Sequence, residues 1–136
     1  MVALMDAAEE QRMLEEKVSK ALEEARIKLD AALEYLSKEE KDSEKKVWLA
    51  EEAAEYSSLL YSLTYGLEDE DPPVPVRKRN AEPTALVKEA SDALHHTAAL
   101  RGKSSLEGYQ QLRTAVYKLR EAHHILDKAA RKGASL

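Results

Sequence analysis

The chain has 136 residues, 43% hydrophobic and 35% charged, which predicts a single domain (1–136) with one modest core. Cysteine is absent, so disulfides and thiolate metal sites are excluded. No basic region precedes an apolar run and no apolar stretch is long enough to span a bilayer, so we expect a cytoplasmic protein that does not associate with membranes.

The net charge of −5 is divided unevenly along the chain. Residues 1–72 carry 20 acidic and 9 basic side chains (−11), whereas residues 73–136 carry 6 and 12 (+6). The two halves therefore attract each other, within one chain or between subunits, and the basic half could also hold polyanions such as phosphates. Double-stranded nucleic acid is a disfavoured partner because the acidic half would repel it.

Two helices are predicted in the first half. Asp6 opens the first, which we expect to run from 6 to about 36, and the capping pattern Ser37-x-x-Glu40 marks a break before the second. The second helix carries an apolar stripe at alternating spacings of four and three, which is typical of a face that packs on a core. Its members are Leu49, Ala53, Tyr56, Leu60, Leu63 and Leu67.

A proline-rich and charged linker, 68–83, separates these helices from two more. A third helix is predicted from about Thr84 to Arg101, and a fourth after Ser104-x-x-Glu107 with a seam that begins at Tyr109 and continues through His123. We therefore expect an all-α fold, a four-helix bundle made of two antiparallel helical hairpins (6–67 and 84–132). Small alanines beside the seam of the fourth helix would permit close helix packing, either within the chain or across a dimer.

Two acidic patterns place carboxylates one helical turn apart. They are Glu51-Glu52-Ala53-Ala54-Glu55 and Glu89-Ala90-Ser91-Asp92. If the second and third helices pack side by side and antiparallel, the two patterns lie within a few residues of the same level. Oxygen ligands that leave room for water and phosphate suit Mg²⁺ or Mn²⁺, so the sequence predicts a metal site of Glu52, Glu55, Glu89 and Asp92.

The EExxE pattern, the helix ALVKEASDALHHTAAL and the following GKSSLEGYQQL resemble the MazG-type all-α nucleotide pyrophosphatases and the related phosphoribosyl-ATP pyrophosphohydrolases. The resemblance implies Mg²⁺-dependent hydrolysis of a nucleoside triphosphate to monophosphate and pyrophosphate. It implies metal ligation by Glu52, Glu55, Glu89 and Asp92, with Glu51 as an extra ligand or as the base that activates water. Candidate phosphate-binding residues are Arg77, Lys78, Arg79, Lys118 and Arg120.

The segment ALEYLSKEEKDSEKKVWLAEEAAEY, with the later DALHHTAAL, is similar to the archaeal HEPN-like helical proteins. Some of these are RNases with an R-x(4–6)-H motif, which the fourth helix lacks because Arg120 precedes His123 by too few residues. The alternative is therefore a non-catalytic helical interaction or nucleotide-binding module that acts as a dimer. Both hypotheses include a homo-oligomer.

The histidine pairs His95-His96 and His123-His124 could recruit a transition metal. An antiparallel turn near Lys103 would leave the two pairs about 20 Å apart, so a four-histidine site in one chain is disfavoured. We expect His95 to face solvent and His123 to lie in the core or in a dimer interface.

Overall fold

The computed structural model describes residues 6–68, 70–76 and 81–134, and these form four α-helices without a strand. The helices are α1 (Ala7–Ser37), α2 (Ser43–Tyr65), α3 (Pro83–Leu100) and α4 (Ser105–Ala134). The predicted all-α class and the number of helices are confirmed. None of the helices in the described part of the chain combines the length and the apolar character that crossing a bilayer requires.

Local sequence signals explain most of the helix ends. The Asp6 carboxylate accepts a hydrogen bond from the Glu9 N–H at 2.8 Å, as expected of an N-cap. Gly66 ends α2 in the left-handed conformation at φ 66°. The capping role predicted for Ser37 is wrong, because its hydroxyl donates to the Glu34 carbonyl at 2.8 Å and closes α1 instead of opening α2.

Each helix packs mainly on two others. α1 contacts α2 and α3, and α4 contacts α2 and α3, so α2 and α3 lie on a diagonal of the bundle. Two contacts show that α1 and α2 are antiparallel: Gln11 Nε2 donates to the Thr64 carbonyl at one end, and the Lys46 ammonium lies over the Tyr35 ring at the other. The premise that α2 and α3 pack side by side, on which the predicted carboxylate cluster depended, is therefore wrong.

The core is built from aliphatic and small side chains of all four helices. Apolar faces of α1, α3 and α4 supply most of it, including Val18, Leu29, Leu94 and Leu112. On α4 the seam is buried as far as Leu119 and Ala122, while His123 is partly exposed. Burial of these faces is the main source of helix stability in a bundle of this size.

The face that α2 presents to the bundle differs from the prediction. Its buried residues are Ser43, Val47, Ala50, Ala54, Ser57, Ser58, Tyr61, Ser62 and Thr64. The predicted stripe is divided: Tyr56 and Leu63 are 59% and 57% exposed, whereas Ala53, Leu60 and Leu67 are partly buried and pack on the edge of the core.

Candidate functional site

The four carboxylates predicted to bind metal have different surroundings. Glu52 lines a groove between α1 and α2, and Asp92 is exposed on α3. Glu89, also on α3, forms an ion pair with Lys118 of α4 at 3.0 Å. Glu55, on α2, lies at the interface with α4, where it pairs with Arg113.

Glu55 is held by two arginines. Its Oε1 accepts a hydrogen bond from Arg113 Nη1 at 3.0 Å, and its Oε2 accepts one from Arg120 Nη2 at 2.6 Å. Arg113 Nη1 also donates to the Ser58 hydroxyl at 3.0 Å, and its guanidinium lies over the Tyr117 ring. Because Arg113 is only 7% exposed, Glu55 supplies the counter-charge that makes its burial tolerable.

Glu51, the residue predicted to act in catalysis, belongs to the same α2–α4 interface. Its Oε1 lies 3.6 Å from Arg120 Nε and its Oε2 lies 3.5 Å from His123 Nδ1. Oε2 is buried and accepts no hydrogen bond. Burial therefore raises the pKa of Glu51, although the charges of His123 and Arg120 oppose the shift. The other nitrogen of His123, Nε2, lies 3.5 Å from Glu44.

The segment that follows α2 is attached to this interface by Asp71. The Tyr109 hydroxyl donates a hydrogen bond to Asp71 Oδ1, and Asp71 Oδ2 lies 3.9 Å from Arg113 Nε. Burial, together with this hydrogen bond, raises the pKa of Tyr109 to about 12. The predicted phosphate-binding residues Arg77, Lys78 and Arg79 lie outside the described residues.

The polar network joins α2 to α4 by alternating acids and bases. Within residues 6–68, 70–76 and 81–134, no three His, Asp or Glu side chains are grouped so that they could hold a metal ion. Each oxygen of Glu55 already contacts an arginine, and Lys118 and Arg120 are in ion pairs with carboxylates. A Mg²⁺ ion at this interface would have to displace those cations. Metal binding by the four carboxylates stays a prediction.

Arg113 was not among the residues that the sequence pattern singled out, so its role in this interface was missed. The available signal was spacing: Arg113 and Arg120 are seven residues apart and therefore share a face of α4. Glu51 and Glu55 show the matching acidic spacing on α2. The pairing of those two faces required the knowledge that α2 packs on α4 rather than on α3.

A second feature is the outer α2 face, defined here as Tyr56, Leu59 and Leu63, whose side chains are all more than half exposed. The neighbouring Ala53 and Leu60 are partly buried against the core. The face borders a groove of about 690 Å³ whose rim carries Lys17, Lys20, Glu24, Lys28 and Glu52. A contiguous apolar surface with a charged rim is typical of a protein interaction site.

Comparisons of this chain with protein families, with curated proteins and with solved structures find no match.

Proposed function

We propose that the protein is a non-catalytic helical interaction module that acts as a homodimer, in which a second copy packs on the outer α2 face. The observation that carries the proposal is the exposure of three large apolar side chains on consecutive turns of α2. Tyr56, Leu59 and Leu63 are 59%, 57% and 57% exposed, and all three lie on the same side of one helix. Burying such side chains against a partner is worth roughly 25 cal/mol for each Å² of apolar surface removed from water.

The spacing of the stripe supports a helical partner. Tyr56, Leu59 and Leu63 are separated by three and then four residues, which is the spacing by which two helices pack knobs into holes. A second α2 helix offers the same alternation and therefore fits this face.

The polar interface between α2 and α4 supports the non-catalytic part of the proposal. Glu55 and Glu89, two of the carboxylates that a magnesium-dependent hydrolase would use, are neutralised by Arg113, Arg120 and Lys118. These ion pairs join α2 to α4 and do not involve the outer face of α2.

The test is sedimentation equilibrium of the wild type over a concentration range from about 1 to 500 μM, which covers the affinities expected of weak dimers. Leu59→Glu and Leu63→Glu each place a charge on the outer α2 face, and we expect each to weaken dimerisation at least tenfold, about 1.4 kcal/mol. Leu106→Glu, at an apolar residue of α4 that is 42% exposed, is the matched control and should dimerise like the wild type. A wild type that stays monomeric throughout would refute the dimer.

The enzymatic alternative is tested in parallel. Nucleoside triphosphates are incubated with the protein with and without Mg²⁺, and monophosphate and pyrophosphate are measured. We expect no metal-dependent turnover and no increase in Tm on addition of Mg²⁺. Turnover that requires Mg²⁺ and is lost in both Glu55→Gln and Asp92→Asn would refute the non-catalytic proposal and establish the pyrophosphatase.

A further inference from the structure

The groove between α1 and α2 has an apolar floor. It encloses about 690 Å³, and its apolar lining consists of Ala21 from α1 and of Leu49, Ala53, Tyr56 and Leu60 from α2. Leu49 and Leu60 are eleven residues apart, so this lining extends over roughly 16 Å of the helix axis. Pockets of this size with an apolar lining commonly hold small molecules, and a few polar groups fix the orientation of the ligand.

Two lysines without ion-pair partners lie at one end of this groove. The contacts that make α1 and α2 antiparallel place Lys17 level with Leu60, and Lys20 one helical turn further along the groove. Neither ammonium pairs with a carboxylate among residues 6–68, 70–76 and 81–134. This end of the groove therefore presents two positive charges that are available to a ligand.

The other end of the groove has the opposite charge. Lys28 lies 3.8 Å from Glu24 and is level with Glu52, so one base and two acids give this end a net charge of −1. The levels of Lys17 and Glu52 differ by about eight residues, or roughly 12 Å along the axis. An anionic group in the groove is therefore attracted to the lysine end and repelled from the other end.

We propose that this groove binds a free amphipathic carboxylate of the medium-chain fatty acid class. The carboxylate lies between Lys17 and Lys20, and the alkyl chain lies along Ala21, Ala53 and Leu49. This orientation pairs the anion with the unpartnered ammonium groups and removes both the alkyl chain and the apolar floor from water. All lining residues belong to one chain, so the site does not depend on the homodimer proposed above.

The charge of the surrounding surface favours a free molecule over a membrane lipid. Residues 1–72, which include both walls of the groove, carry a net charge of −11. An anionic membrane surface would be repelled by this half of the chain, whereas a single carboxylate interacts mainly with the two lysines beside it.

The first measurement is isothermal titration calorimetry with decanoate. We expect about one decanoate per chain with a Kd below about 1 mM. Butyrate carries the same head group on a shorter chain, and decyltrimethylammonium carries the same chain on a cation, so each should bind at least tenfold more weakly. Decanoate that does not saturate the protein at up to about 10 mM, or equal binding of the two ten-carbon ligands, would overturn the inference.

Reversal of the lysine charges gives a result that a folding defect cannot imitate. In Lys17→Glu with Lys20→Glu, decyltrimethylammonium should bind at least tenfold more tightly than decanoate, which is the reverse of the wild-type preference. Lys103→Glu with Lys128→Glu is the control, because it makes the same change in net charge at exposed residues outside the groove and should keep the preference for decanoate. A groove variant that keeps the wild-type preference, or a control that loses it, would overturn the assignment of the head group to the lysines.

Methyl NMR locates the alkyl chain. Saturating decanoate should shift the methyl signals of Ala21 and Ala53, whereas Ala115, which is fully buried in α4, should not change. Saturable binding without a shift at Ala21 and Ala53 would place the ligand elsewhere and overturn the site. Cosedimentation with phosphatidylglycerol vesicles in the absence of decanoate binding would overturn the free ligand in favour of a membrane surface. These outcomes are the same for a monomer and a dimer, so failure of this inference and failure of the homodimer are distinguishable.

Discussion

Gly108 of α4 lies against the ring of Tyr61, and a methyl group at this position would meet the Tyr61 hydroxyl. A Cβ built on Gly108 falls well inside contact distance of the hydroxyl oxygen, but it lies 3.4 Å from ring Cζ and 3.6 Å from Leu100 Cβ. The hydroxyl is buried and has no hydrogen-bond partner among the described residues. Gly108→Ala therefore overpacks the core through one atom.

Two opposing effects of similar size determine how Gly108→Ala changes the free energy of unfolding. Overpacking costs about 1–3 kcal/mol, while alanine is favoured over glycine in a helix by about 1 kcal/mol. We expect Gly108→Ala to destabilise the wild type by up to about 2 kcal/mol. In Tyr61→Phe the obstructing oxygen is gone and ordinary van der Waals contact remains, so the same substitution should stabilise by up to about 1 kcal/mol.

The assay is urea denaturation of the four proteins of this cycle, followed by circular dichroism at one fixed protein concentration because dimerisation adds to apparent stability. Tyr61→Phe alone should be neutral or slightly stabilising, since it removes a buried hydroxyl without a partner. The reversal of sign gives a coupling energy of about 1–3 kcal/mol. An equal effect of Gly108→Ala in both backgrounds would refute the contact.

Further predictions concern the interface between α2 and α4. Because burial raises the pKa of Glu51 above its unfolded value, the protonated form favours folding. That contribution is fully present below the unfolded pKa and is lost as pH rises through the folded one. Glu51→Gln should therefore be more stable than the wild type at pH 7, by less than about 1 kcal/mol, and this difference should vanish near pH 4. The measurement is urea denaturation at several pH values, and a difference that stays constant between pH 4 and pH 7 would contradict the prediction. We expect Glu55→Gln to lower the free energy of unfolding by about 3 kcal/mol and Arg113→Met by about 1 kcal/mol. Glu55→Gln leaves the buried cation of Arg113 without this carboxylate, whereas in Arg113→Met the Glu55 carboxylate, 43% exposed in the wild type, retains Arg120. The reverse order in chemical denaturation would refute this reasoning.

The sequence predicted the helices and the core-facing seam of α4, since caps and apolar periodicity are local features. It did not predict the position of Arg113, because a basic residue on a helix has the same pattern whether it faces water or a carboxylate of another helix. The carboxylate pairs on α2 and α3 were each identified correctly as pairs within one helix turn. Their predicted convergence failed because it required a neighbour relation between α2 and α3 that no local signal encodes.

What the sequence by itself determined is the helical class, the helix ends at Asp6 and Gly66, and the existence of an apolar stripe on α2. Only the tertiary structure decided which residues of that stripe the bundle buries and which stay exposed. Periodicity reports that one side of a helix is apolar, but it does not say whether the helix's own bundle or another molecule covers that side. In the structure the bundle buries Ala50, Ala54 and Ser57 of α2, whereas Tyr56, Leu59 and Leu63 of the same helix stay more than half exposed.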